Sequence, residues 1–336
     1  MKQNKSKKIF VGALALSVAV AAGALPAFAA AETPQRFEDV DTVTLTKIYQ
    51  LVNEGTLSPE ESFYFTITPK DVTDAGDDVT TGNMPMPTVG SVKYLRGEAG
   101  SANMTKQITI DLPEYDSVGV YTYTIREVAG TSAGVDYYGG DILLRVTVIE
   151  QDGKLRVAAV HTEEPESSGA DKTDSFANSY AAGKLDIHKD VEGNLGDKNK
   201  YFEFKVTLTG ETDKTYQDSY AVTGGSNAAN PETVEIVPGQ STEYTIYLRD
   251  DETLHIENLP YGVTYDVQEI VPDDYEMKVE GNDGEVDSAT ENVVFTNTKN
   301  GTIDTGVVLD NAPYLLTLAT AAGAGLLLTL RRRHEK

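Results

Sequence analysis

Two sets of three polar residues continue rows of apolar side chains and are of types that can react with one another. Side chains of a strand alternate between its faces, so residues two apart share a face. Val43 and Leu45 share a face with Lys47, and Leu185 and Ile187 share one with Lys189. Tyr123 and Ile125 align with Glu127, as Tyr265 and Val267 align with Glu269. Phe176 aligns with Asn178, and Val293 and Phe295 align with Asn297. A lysine, a glutamate and an asparagine thus turn inward twice, in the same order along the chain. A lone lysine at a strand end is normally solvated by snorkelling. Three unpaired polar groups in each core would be costly, so each trio is expected to be mutual partners.

Such partners have a defined chemistry. Desolvation lowers the pKa of a lysine and makes its neutral, nucleophilic amine accessible. A carboxyl group in the same apolar pocket has its pKa raised and can stay protonated. It can then hydrogen-bond the asparagine carbonyl oxygen and pass a proton from the amine to departing ammonia. The product is a Lys–Asn side-chain amide, made once per site, with proximity supplying most of the rate. No cofactor and no metal is required. Glu127 and Glu269 are the expected catalytic acids; Lys47 with Asn178, and Lys189 with Asn297, are the expected cross-links.

The elements that must hold these groups are strands. Phe63–Ile67, Tyr121–Ile125 and Phe202–Val206 alternate in character, and Ile142–Ile149 and Leu155–Val160 flank an Asp152-Gly153 hairpin turn. No segment between the ends has a convincing helical period. An all-β fold of sandwiches follows. Its order repeats: Val43–Lys47 opens and Phe176–Asn178 closes one unit, Leu185–Lys189 opens and Phe295–Asn297 closes the next. Residues 42–181 and 182–299 are read as two tandem domains. A joint as short as Ala181-Ala182-Gly183 argues against free tumbling between them.

Both ends read as addresses. Lys2, Lys5, Lys7 and Lys8 precede the apolar run Ile9–Leu25 and a small-residue stretch at Ala27-Phe28-Ala29, the pattern of a signal peptide over residues 1–30. A short extension, 31–41, follows. Residues 312–330 are apolar and long enough to span a bilayer as a helix, and Arg331, Arg332, Arg333 and Lys336 form a basic tail over 331–336. The preceding linker, 300–311, holds Thr302-Ile303-Asp304-Thr305-Gly306. Motif, span and tail together resemble a sortase sorting signal, which places processing between Thr305 and Gly306. Ile303 stands where that signal carries proline and Thr302 where it carries leucine.

Composition narrows the function further. The 336 residues carry a formal charge of −25 and include no cysteine. Because the basic residues crowd the two ends, the middle is more acidic still, which argues against a nucleic-acid partner. An exported chain without cysteine must take any covalent staple from other chemistry. The four histidines, His161, His188, His255 and His334, form no His-Glu-x-x-His motif; no Gly-x-Ser-x-Gly or phosphate loop occurs. The Asp- and Gly-rich stretch 280–287 does not match a calcium loop. A conventional enzyme is not expected.

At the level of motifs the chain resembles the pilin isopeptide-linkage family of Gram-positive major pilins. The resemblance rests on Lys47, Glu127 and Asn178 with the Tyr-Thr-Tyr-Thr-Ile-Arg-Glu run at 121–127. It rests equally on Lys189, Glu269 and Asn297 with Asn258-Leu259-Pro260-Tyr261-Gly262. It implies immunoglobulin-like sandwiches, each with a Lys–Asn bond between first and last strands and an assisting Glu. It also implies a cell-wall location, a sortase as partner, and linkage of Thr305 to other pilin subunits or to peptidoglycan. Lys172 is the inter-subunit lysine the resemblance favours, with Lys70 in Pro69-Lys70-Asp71 as a rival. The alternative is a wall-anchored adhesin or accessory pilin that binds a host ligand. The membrane is met only through the C-terminal helix, before processing.

Overall fold

The computed structural model describes residues 38–100, 104–165 and 172–302. The signal peptide, Thr305, Gly306, the apolar span and the basic tail lie outside these residues. Within them the chain is all-β, with no helix.

The first half runs β1 (Thr42–Leu51), β2 (Glu61–Thr73), β3 (Thr88–Val89), β4 (Val92–Tyr94), β5 (Thr105–Asp111), β6 (Gly119–Val128), β7 (Val135–Asp136), β8 (Asp141–Gln151), β9 (Lys154–Glu163) and β10 (Ser175–Tyr180). Its two sheets have the orders β3-β5-β1-β10-β7 and β4-β2-β6-β8-β9. The second half runs β11 (Ala182–Glu192), β12 (Phe202–Thr209), β13 (Tyr220–Gly224), β14 (Thr233–Val234), β15 (Ser241–Leu248), β16 (Glu252–Pro260), β17 (Thr264–Ile270), β18 (Glu276–Glu280), β19 (Asp283–Glu285) and β20 (Thr290–Thr298). Its sheets are β14-β13-β16-β11-β20-β18 and β15-β12-β17-β19.

Each pair of sheets encloses its own apolar core. Leu45, Phe63, Tyr123, Ile142 and Phe176 belong to the first; Ile187, Phe204, Val206, Val267 and Phe295 belong to the second. Alternation along each strand explains the arrangement, since inward residues are buried and their neighbours are not. The expected hairpin forms between β8 and β9, with Asp152 and Gly153 at φ of 59° and 72°. That pair turns a two-residue loop because both positions need the left-handed region.

One feature of topology positions the chemistry. The first and last strands of each half lie side by side and parallel: β1 on β10, and β11 on β20. In both, the lysine sits opposite a phenylalanine, Lys47 against Phe176 and Lys189 against Phe295. The asparagine lies two residues further on, opposite Tyr49 or Val191. An offset of two keeps lysine and asparagine on one face, turned toward the core.

The joint is a single residue, Ala181, between β10 and β11. Its N–H donates to Gly134 O at 2.8 Å and its carbonyl accepts from Tyr261 N at 3.1 Å. Gly134 has φ of 74°, and a side chain there would run into the Ala181 carbonyl. Asn53 Nδ2 donates to Ala182 O at 2.8 Å and to the Tyr261 hydroxyl at 2.7 Å. The Asn258 side chain accepts from Leu57 N at 2.7 Å and donates to Leu57 O at 2.9 Å. Ala133 N to Thr215 O and Thr215 N to Thr131 O add a backbone bridge, at 2.9 and 2.8 Å.

Candidate functional site

The structure brings each trio together inside a core. Lys47, Glu127 and Asn178 lie on β1, β6 and β10, so amine and carboxamide come from one sheet and the carboxyl group reaches across from the facing sheet. Lys189, Glu269 and Asn297 repeat this on β11, β17 and β20. Both lysines are fully buried, and the four partners are at most 9% exposed.

In the first centre Lys47 Nζ donates to Glu127 Oε2 at 2.8 Å and to Phe176 O at 3.3 Å. Asn178 Nδ2 donates to the other carboxylate oxygen, Glu127 Oε1. Asn178 Oδ1 accepts from Tyr138 N at 3.1 Å. In the second centre Lys189 Nζ donates to Phe295 O at 3.4 Å and stands 3.4 Å from Glu269 Oε2. Asn297 Nδ2 donates to Glu269 Oε1, while Asn297 Oδ1 is buried with no hydrogen-bond partner.

One expectation needs correcting. The carboxyl group does not face the asparagine carbonyl oxygen; it faces the amide nitrogen in both centres. Its two oxygens lie between the attacking amine and the group that would leave. That geometry suits the proton-shuttle role and not carbonyl polarisation.

Burial shifts both amines toward the neutral form. Burial pushes the Lys47 ammonium down from 10.5 to about 8, against the opposing pull of Glu127. Burial does the same to Lys189, also to about 8, opposed by the charge of Glu269. Burial raises the Glu269 carboxyl above its ordinary value, more than Lys189 lowers it. A neutral amine is the nucleophilic form, so burial moves each lysine toward the state that could attack a carboxamide.

The walls of the pocket were not singled out as such by the sequence. The Lys47 amine sits 4.2 Å from the centroid of the Phe63 ring, and Lys189 4.8 Å from that of Phe202. Two residues on, Phe65 packs on Phe176 at 5.0 Å and Phe204 on Phe295 at 5.1 Å. The signal was available as a Phe-x-Phe pair in the second strand of each half. Tyr94 adds a brace by donating its hydroxyl to Lys47 O at 2.8 Å. Tyr138 gave no signal, because its contribution is a backbone N–H.

The remaining residues named from sequence stand apart from the centres. Lys172 is exposed in the segment leading into β10, and Lys70 is exposed at a register shift of β2 between Pro69 and Asp71. Among the described residues no group of His, Asp and Glu is arranged to hold a metal.

Comparison with known proteins agrees with this architecture. Residues 43–181 match the Spy0128-like isopeptide containing domain (FctA), and residues 183–299 match a domain of unknown function (DUF7601). A pilin of Streptococcus pyogenes serotype M1 is 29% identical over 312 residues, covering 84% of this chain and 88% of its own. A crystal structure of the major pilin from Streptococcus pyogenes, at 25% identity, aligns with a TM-score of 0.51 over 78% of this chain and 99% of its own. The pilus tip adhesin Cpa of Streptococcus pyogenes is 31% identical over 134 residues, which are 38% of this chain and 18% of the adhesin.

Proposed function

We propose that the chain is, like the Gram-positive major pilins it resembles, a structural fibre subunit, in which Lys47–Asn178 and Lys189–Asn297 amides form autocatalytically. The observation that carries this reading is the repeated enclosure of an amine, a carboxyl group and a carboxamide in a buried apolar core. The neutral amine attacks Asn178 Cγ, Glu127 takes a proton from Nζ, and the same carboxyl group protonates Nδ2 as ammonia leaves. The second centre follows the same course with Lys189, Glu269 and Asn297. Each glutamate acts once, so the chain is not an enzyme in the turnover sense.

We further propose residues 42–181 and 182–299 as the two folding domains, each closed by its own bond. Force entering a first strand would leave through the neighbouring last strand by way of the amide, and the sandwich between would be spared. An amide is indifferent to redox conditions, in keeping with a chain that has no cysteine.

Export through residues 1–30, sortase cleavage between Thr305 and Gly306, and transfer of the Thr305 carbonyl to Lys172 of the next subunit complete the proposal. The exposure of Lys172 supports its role as acceptor. A host-binding adhesin is less favoured, because the chain matches only a small part of the tip adhesin's length.

Intact mass tests the central claim. The chain spanning both sandwiches should weigh less than its sequence by two ammonia molecules. Lys47→Ala, Asn178→Ala or Glu127→Ala should each restore one. A mass equal to that encoded would sink the cross-links. Denaturing gels of wall extracts test the fibre: a ladder of covalent multimers is expected, and Lys172→Ala should collapse it.

A further inference from the structure

The two centres share residue types but differ at the oxygen where negative charge would develop. Attack of the lysine amine on an asparagine side chain makes a tetrahedral carbon whose former carbonyl oxygen carries the charge. A fixed N–H aimed at that oxygen stabilises the transition state. In the first centre Asn178 Oδ1 already accepts from Tyr138 N at 3.1 Å. In the second, Asn297 Oδ1 is buried and has no partner.

The strand beside each asparagine explains the difference. β7 pairs with β10 for only two residues, Asp136 with Ser179 and Val135 with Tyr180. The chain then leaves the ladder, so the Tyr138 N–H is free to turn onto the Asn178 side chain. Tyr138 is held there by its ring, packed edge-on against Phe176 at 5.1 Å and 83°. Beside β20 runs β18, which stays in register from Glu276–Thr298 through Glu280–Val294 and sets Met277 opposite Asn297. A continuous ladder spends its N–H groups on backbone carbonyls. The carboxyl groups differ in the same sense. Glu127 holds its lysine in a 2.8 Å hydrogen bond, whereas Glu269 Oε2 stands 3.4 Å from Lys189 without one.

We infer that the backbone N–H of Tyr138 is the oxyanion donor of the first centre, and that the second centre, lacking a counterpart, cross-links more slowly. This rests on the cross-linking reading proposed above. As Lys47 Nζ bonds to Asn178 Cγ, the carbonyl π electrons move to Oδ1, which carries the charge and accepts a hydrogen bond from Tyr138 N–H. Oδ1 then reforms the double bond, the Cγ–Nδ2 bond breaks, and ammonia leaves with the proton that Glu127 took from Nζ.

The test follows both bonds in the full-length chain made by cell-free translation. Timed samples are quenched in acidic denaturant and digested, and the Lys47–Asn178 and Lys189–Asn297 peptides are quantified. The first bond should accumulate earlier. Replacing the Tyr138 residue by its hydroxy-acid analogue turns that N–H into an ester oxygen and keeps the ring. This should slow the first bond on the order of 100-fold and leave the second unchanged. Equal rates, an earlier second bond, or no effect of the ester overturns the inference. The order of the two bonds in the unaltered chain decides the matter even if the ester variant folds poorly. Absence of both bonds overturns instead the reading on which the inference rests.

Discussion

A buried lysine is unfavourable unless its charge is paired or given up, and here both remedies operate. Glu127 and the Phe63 ring face the Lys47 amine, yet burial still holds its pKa at about 8. The proposed reaction would remove the problem, since an amide carries no charge. A chain prevented from reacting should reveal it. In Asn178→Ala the amine persists. Between pH 8 and pH 10.5 the unfolded chain then holds a proton that the native chain has lost, so stability rises with pH through that window. The gain should reach up to about 3 kcal/mol and be present above pH 10.5, and it should vanish as pH falls through 8. Denaturant unfolding of Asn178→Ala against Lys47→Met, at steps of pH, isolates the slope; equal slopes would remove the depressed amine from the account. Phe63→Leu should admit water to the pocket and let the amine move back toward its ordinary value. The expected result is a mixture of cross-linked and unlinked first sandwiches by intact mass. The trio itself was legible because parity puts inward polar residues in plain view. The ring over the amine was not, since parity names a face without naming what lies opposite it.

At the scale of elements, the parallel contact of first and last strands would let a short side-chain bond close a long stretch of chain. Lys47 and Asn178 lie on neighbouring strands though more than a hundred residues separate them, as do Lys189 and Asn297. If an amide restrains the unfolded chain as a disulfide does, each proposed bond would add about 4–5 kcal/mol. Asn178→Ala should therefore lower the stability of the first sandwich by at least that amount at pH 7 and leave the second sandwich's bond intact by mass. Calorimetry on the variant checks the loss, and a cost below about 1 kcal/mol would show that the bond contributes little to thermodynamic stability. The strands holding each trio were readable from alternation. Their pairing was not, because adjacency of β1 and β10 depends on contacts across the whole unit and leaves no local pattern. Tyr138 was hidden for a related reason: β7 is too short to show alternation, and its brevity is what frees the N–H.

At the scale of the whole molecule, the question is whether the two sandwiches respond to stress as one. The brevity of the joint pointed to coupling, but the groups around it come from segments distant in sequence, and nothing local marked them as partners. Asn258 is the residue on which that coupling turns. It sits at φ of 61°, which asparagine tolerates and alanine does not. Its side chain bonds both the N–H and the carbonyl of Leu57 and donates to the Tyr180 hydroxyl at 3.4 Å. Loss of these bonds and of the backbone preference in Asn258→Ala should cost the junction about 2–4 kcal/mol. The consequence is specific when combined with a broken second bond. With Asn258 present, Asn297→Ala should lower the melting of both sandwiches, since the weakened second unit withdraws its support from the first. In the Asn258→Ala background, Asn297→Ala should lower only the second transition, and the first should stay where Asn258→Ala alone leaves it. Calorimetry of the four chains forms a double-mutant cycle whose interaction term measures the coupling. An interaction term near zero would mean that each sandwich unfolds on its own, and that the hydrogen bonds around Ala181 set the geometry of the joint without transmitting stability across it.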